Sequence, residues 1–212
     1  MSCICRRGVA LVIAGPSGVG KSALTEALLH AEPRAMRSVS VTTRPPRAGE
    51  IEGVDYYFRD MAGFQTMVAA HELLEWAEVF GHRYGTRRAV VLDALNAGRD
   101  VLFDIDWQGH RRLSAVLPGD VVGVFVLPTA LAVLKARLRD RGDPPERVSR
   151  RMAQAAGQIA HWQEFDYVLV NHDLEACVGE IRAILSAARV ATRRRSGLAA
   201  FVGMLMPRVE SW

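Results

Sequence analysis

The chain has 212 residues, half of them hydrophobic, and carries 27 Lys and Arg against 23 Asp and Glu, a formal net charge of +4. That is enough apolar material for one substantial core, and no run reaches the about 18 consecutive apolar residues of a membrane-crossing helix. The modest basic excess suits anionic ligands without singling out nucleic acid, because carboxylates are scattered along the whole chain.

The opening run, Met-Ser-Cys-Ile-Cys-Arg-Arg, is too short and too polar for a secretory signal. Cys3, Cys5 and Cys177 are odd in number and lack metal-ligand spacing, so reduced thiols in a cytoplasmic protein are expected. The first apolar stretch, Val9 to Ala14, reads as a buried strand. It leads into Gly15-Pro-Ser-Gly-Val-Gly-Lys21-Ser22, and Ala23 to Leu29 then has the pattern of a helix. Strand, glycine loop and helix in that order turn a G-x-x-x-x-G-K-S match into a phosphate site. Gly15, Pro16, Ser17, Gly18, Val19 and Gly20 can aim backbone N–H groups at phosphate oxygens. Lys21 supplies a point charge for the outer phosphates, and the Ser22 hydroxyl is a ligand for Mg²⁺.

Ser38 to Thr43 alternates as a strand and runs into the Pro45-Pro46 turn; Asp55 to Phe58 reads as another short strand. Phe64 to Ala70 is a short amphipathic helix, Leu73 to Phe80 a strand with interleaved charges, and 85–97 a helix stopped near Asn96-Ala-Gly98. Asp100 to Asp106 and Val121 to Leu127 are β-branched, turn-bounded runs expected of buried parallel strands. Helices are predicted for Leu131 to Arg139, Arg147 to His161 and Leu174 to Arg189, with a last strand at Tyr167 to Asn171. The tail from Thr192 is weakly patterned. Alternating βα units around a β-rich insert predict a three-layer α/β/α fold with a parallel core sheet.

The insert resembles the nucleoside-monophosphate-binding region of the guanylate kinase family. The residues that carry the likeness are Thr42-Thr-Arg-Pro-Pro-Arg-Ala-Gly-Glu50, Gly53-Val-Asp-Tyr-Tyr-Phe58, Glu75-Trp-Ala and Tyr84-Gly-Thr86, with Asp104-Ile-Asp-Trp-Gln-Gly109 as the next block. The likeness runs in uninterrupted order over roughly 8–190. It implies a P-loop NTPase fold with core segments at about 8–37, 87–136 and 160–190, a GMP-binding insert at about 38–86 and a helical lid at about 137–159. A kinase-like domain over 1–192 would then be followed by a tail at 193–212. The family transfers a phosphate from MgATP to GMP, so ATP, GMP and Mg²⁺ are the ligands implied, with neither a membrane nor a nucleic acid among the partners.

The resemblance assigns roles that suit the side chains. Arg44 and Arg47 can grip a phosphate as bidentate forks, and Tyr56 and Tyr84 can donate hydroxyl hydrogen bonds to it. Glu75 would accept the adjacent N1–H and N2–H₂ donors of guanine, with Ser40 and Thr86 as hydroxyl partners. Glu50 would steady the arginines, a role open to Asp55 as well. Asp104 resembles the carboxylate that orients hydrated Mg²⁺, and Asp106 would lie on the GMP side, although strand-end carboxylates also serve as helix caps. Arg137, Arg141 and Arg151 match lid arginines that approach the phosphates, and Arg150 reads as a solvated neighbour. Asn171 matches an adenine contact. Two rival readings remain: a binding-only module of the same fold, and a sugar-phosphate kinase that would not need Glu75, Ser40 and Thr86 together.

Overall fold

A computed structural model describes residues 4–79, 81–140 and 142–206. In chain order it contains β1 (Cys5–Arg6), β2 (Ala10–Ala14), α1 (Lys21–Ala31), β3 (Ala35–Arg37), β4 (Ser40–Thr42) and β5 (Tyr56–Phe58). Then come α2 (Met61–Ala69), β6 (Leu73–Val79), β7 (His82–Arg87), α3 (Arg88–Asn96), β8 (Asp100–Asp104), α4 (Trp107–Val116) and β9 (Val121–Pro128). The last elements are α5 (Leu131–Asp140), α6 (Pro145–Ile159), β10 (Tyr167–Asn171), α7 (Leu174–Val190), β11 (Arg195–Ser196) and α8 (Leu198–Leu205).

The core sheet is parallel throughout, in the order β10-β9-β2-β8-β3. All five residues of β2 are buried, because helices cover both faces of the strand. Side chains alternate accordingly. Val9, Leu11 and Ile13 pack with Leu24 and Leu28 of α1 and with Ile181 and Leu185 of α7. Ala10, Val12 and Ala14 pack on the other face with Val91 and Leu95 of α3 and Leu113 of α4. Fully burying each such Leu, Ile or Val stabilises the fold by about 1.5–3 kcal/mol before entropy is counted. The expected three layers are present.

The insert forms its own mixed sheet, β5-β4-β7-β6, over a small core of Val41, Phe64 and Leu73. One expectation fails here: the helix predicted over 85–97 begins only at Arg88, and His82–Arg87 is strand β7. The run His-Arg-Tyr-Gly-Thr-Arg has no apolar alternation of its own. It is a strand because β6 and β4 pair with it on both sides. Gly85 permits that fit, since a Cβ there would stand 2.7 Å from a Leu73 methyl and 3.2 Å from the Phe64 ring. The short strands β1, β3 and β11 and the helices α4 and α8 were also not predicted.

Asp100, fully buried at the start of β8, ties the foot of the sheet together. It accepts from Arg6 at 2.7 and 3.0 Å, from Arg189 at 2.9 Å and from the Val9 N–H at 2.9 Å. Burial alone would raise its pKa, but these bonds outweigh that and hold the carboxyl below its ordinary value. Arg194 is also buried, donating to the carbonyls of Gly8 at 2.9 Å and Asp120 at 2.8 Å. β11 then pairs with β1, so the residues just after 192 are built into the body. Cys5 is an exposed free thiol and Cys177 a buried one.

Asp100→Asn should cost about 3 kcal/mol, because it removes the counter-charge of two part-buried arginines. Wild-type stability attributable to Asp100 should be complete above the unfolded carboxyl range near pH 4 and fade as the pH falls through the lower folded value. Urea titrations of both proteins from pH 3 to 7 measure this. Equal midpoints at neutral pH would contradict it.

Candidate active site

The glycine loop sits where β2 ends and α1 begins, at the carboxyl edge of the parallel sheet. The register Ile13↔Asp104 sets β8 alongside, so Ser22 Oγ donates to Asp104 Oδ2 at 3.0 Å. Lys21 Nζ bonds across the loop to the carbonyls of Gly15 at 2.9 Å and Pro16 at 3.3 Å. Gly20, at φ 108°, caps α1 without a side chain; a Cβ there would lie 2.7 Å from Asn171 Nδ2. That approach is functional in form, since Asn171 Nδ2 donates to the Val19 carbonyl at 2.7 Å from the buried end of β10. Arg137 of α5 donates to the same carbonyl at 3.0 Å.

Around the loop opens a cleft of about 810 Å³. Its walls include Ser17, Gly18, Lys21, Asp104, Arg137, Arg151 and Asn171, all predicted site residues, together with Tyr56 from the insert. Arg151 is held by Asp143 at 2.9 Å and faces the cleft; Arg150 does not line it. Arg141, the remaining predicted lid arginine, lies outside the described residues. Asp143 is a residue the sequence reading missed, for an acid in a Gly-Asp-Pro-Pro turn looks like turn chemistry and nothing more.

The insert arranges a second constellation by strand register. Tyr56 stands beside Ser40, Ser40 opposite Thr86, and Thr86 opposite Glu75, so four predicted residues form one row across β5, β4, β7 and β6. Thr86 is buried and its hydroxyl donates to Glu75 Oε1 at 2.7 Å. Burial pushes the Glu75 carboxyl up, and the nearby Asp106 adds to that; the Thr86 bond and the Arg112 charge oppose it. Arg112 of α4 donates to the Trp76 carbonyl at 2.9 Å and was another residue missed in the sequence. No local pattern marks it, because its partner is a backbone atom of a different subdomain.

Beside that row, Arg44 is buried and donates to Glu50 Oε1 at 2.7 Å and to the Pro45 carbonyl at 2.8 Å, and the Tyr84 ring stands edge-on to that of Tyr56 at 6.1 Å. Its guanidinium lies 5.1 Å from the Tyr56 ring centroid, a cation–π arrangement. Glu50 Oε2 accepts the Arg47 N–H at 2.8 Å, so one carboxylate fixes both the arginine and the proline turn. The Arg44 bond holds the Glu50 carboxyl below its usual range. The Arg47 side chain is exposed. Asp55 does not take the steadying role: it accepts the Ile51 N–H at 2.8 Å, closing a turn. Asp104 stays at the loop, whereas Asp106 caps α4 by accepting the Gly109 N–H at 3.0 Å. The capping alternative therefore holds for one carboxylate of the pair, and that one still sits close enough to act on Glu75.

Gly20→Ala should strain the left-handed turn and displace Asn171 from Val19. The expected outcome is a triphosphate affinity weaker by about tenfold or more with a fold melting within a few degrees of wild type, read by nucleotide titration and calorimetry. Unchanged affinity would go against the clamp on Val19.

Residues 7–188 match the family model described as guanylate kinase. The chain is 57% identical over 194 residues to the guanylate kinase of Gluconobacter oxydans, covering 91% of this chain and 93% of the relative. It is 54% identical over 200 residues to that of Granulibacter bethesdensis, covering 94% of each. The crystal structure of guanylate kinase from Anaplasma phagocytophilum matches with a TM-score of 0.80 at 36% identity, over 94% of this chain and 96% of that one. A glycine loop facing a carboxylate-bearing insert, and likeness along nearly the whole chain, agree: the chain belongs to the guanylate kinase family.

Proposed function

We propose that this chain transfers the γ-phosphate of ATP to GMP, giving ADP and GDP. The observation that carries the reading is the Glu75–Thr86 pair, a half-buried carboxylate with a hydroxyl on one oxygen, in the sheet row that leads to Tyr56 at the triphosphate cleft. Guanine offers two adjacent donors to a carboxylate and an O6 acceptor to a hydroxyl such as that of Ser40 or Thr86. Adenine would set an acceptor against Glu75, and a mismatch of that kind can discriminate by about 10⁴-fold.

The ATP phosphates are read onto the glycine loop, Gly15 to Gly20, with Lys21 released from the Gly15 and Pro16 carbonyls to reach the outer phosphates. Ser22 and Asp104, one hydroxyl and one carboxylate at 3.0 Å, fit Mg²⁺, which takes few protein ligands and keeps water and phosphate oxygens for the rest. Bound there, the ion would offset phosphate charge. Arg44, Arg47, Tyr56 and Tyr84 would hold the acceptor phosphate, already ionised and in need of no general base. Arg137, Arg141 and Arg151 would neutralise charge spreading over the transferred group. Positioning and positive charge are what such a loose transition state requires. Asn171 supports the ATP side through Val19; its expected adenine contact would use the amide's remaining capacity.

A binding-only module is not favoured, because Lys21, Ser22, Asp104, Arg137 and Arg151 line one cleft. A sugar-phosphate kinase has no use for the Glu75 row. No described helix is long and apolar enough to cross a membrane.

ADP formation from MgATP with GMP, AMP, CMP or UMP offered singly tests the whole reading: turnover should be strong with GMP alone, and GMP binding without any turnover would return the module. Lys21→Ala should lower kcat by about 10²–10³-fold with GMP affinity nearly unchanged. Glu75→Gln should weaken GMP by roughly tenfold to a hundredfold, because an acceptor becomes a donor facing donors. Since the free Glu75 carboxyl is raised and guanine needs it ionised, the KM for GMP should climb with acidification at a pH above the ordinary glutamate range near 4.3. A flat KM down to pH 4.5 would be the contrary result.

A further inference from the structure

The edge opposite the cleft, at the amino ends of the parallel strands, carries two features that phosphoryl transfer does not use. Arg6, Arg34, Arg189 and Arg195 surround a concavity of about 460 Å³. Asp100 engages Arg6 and Arg189 from beneath, while Arg34 and Arg195 have no carboxylate partner among the described residues. Three residues past Arg195, α8 begins at Leu198, after Gly197 at φ 82°. None of its residues is buried. Val202 is 43% exposed, Met204 61%, and Leu205 and Met206 67% each.

Leu198 and Phe201 are half-buried, and the remainder of Leu-Ala-Ala-Phe-Val-Gly-Met-Leu leaves Val202, Met204 and Leu205 as an apolar exposed side that is out of place in water unless something covers it. With eight residues it is about 12 Å long, less than half the hydrocarbon thickness of a bilayer, so it can lie in an interface and cannot cross one. We propose that this edge docks on an anionic lipid surface, with α8 seated at the headgroup boundary and Arg34 and Arg195 against lipid phosphates. Charge favours lipid over a second copy of the chain. Two copies packed through α8 would bring the Arg195 rims together at like charge, whereas an anionic bilayer answers both the apolar helix and the arginines. The contact would leave the catalytic cleft facing away from the surface, open to nucleotides.

The test is co-sedimentation of the full chain with phosphatidylglycerol/phosphatidylcholine vesicles and with phosphatidylcholine alone, at low and high salt, beside sedimentation equilibrium without lipid. Binding should require the anionic lipid and weaken with salt. Val202→Glu with Leu205→Glu, at exposed positions where folding is not at risk, should reduce binding by about tenfold or more. Arg34→Glu should do likewise, at roughly a factor of five to ten per arginine, and phosphoryl transfer to GMP should be unchanged in both variants. Equal binding to neutral vesicles, or none to anionic ones, overturns the proposal. So does a dimer that the α8 variant dissociates, which would make this face a contact between copies. Lipid binding that fails in a chain with normal phosphoryl transfer leaves the kinase reading untouched.

Discussion

The parallel pairing of β2 with β8 is the constraint on which the rest of the molecule depends. β2 has no exposed residue, so its register cannot slip without moving every apolar side chain to the wrong layer. That register fixes Ile13 beside Asp104, and the glycine loop that follows has only one place to go. Ser22 then meets Asp104 with no further instruction. β9 on the other side of β2 leads toward β10, whose last residue delivers Asn171 to the Val19 carbonyl. The glycine-loop site is thus an end-effect of a buried sheet, placed by packing and then tied by the Ser22–Asp104 and Asn171–Val19 contacts.

The insert solves a different problem with smaller means. Its core is three buried side chains, too little to fix a site by packing alone, and register takes over. Pairing across four strands sets Tyr56, Ser40, Thr86 and Glu75 in one row, while Glu50 spends both oxygens on the Arg44 turn. The consequence is that Glu75, proposed to read the base, and Arg44, proposed to grip a phosphate, are placed by one sheet and the turn that leaves it. Arg112 links that sheet to α4 through the Trp76 carbonyl, so the insert and the core share a hydrogen bond, while Tyr56 brings the insert to the wall of the glycine-loop cleft.

The legible parts of the sequence were those where local pattern and tertiary environment agree. β2, β8 and β9 are apolar because both their faces are covered, β10 is an apolar edge strand with Tyr167 and Val170 exposed, and the glycine loop is written in residue types that nothing else needs. The residues of the Glu75 row were legible by another route. Glu75, Ser40 and Thr86 are unremarkable as single letters, and only the likeness of a whole block to a known family singled them out. What stayed hidden depends on partners remote in sequence. β7 is polar and became a strand through neighbours on either side, so its residues read as the start of α3. Asp143 and Arg112 act through contacts no spacing encodes. Asp100 stood in the sequence only as the first residue of a buried strand, and only folding brings Arg6 and Arg189 to it.

The two-stranded ladder of β1 and β11 has a topological consequence. Cys5 and Ser196 are register partners, with the Ser196 hydroxyl also on the Cys5 carbonyl at 3.3 Å, so the folded path returns to its own beginning. A body whose first and last described strands pair in this way could be joined at that seam, and the point at which its path is cut becomes a matter of history more than of architecture. A short linker across that seam would let the polypeptide start elsewhere, for example at the exposed turn of Pro118 and Gly119, and still thread the same sheet in the same order. The catalytic cleft lies at the far edge from the seam and would not register the change.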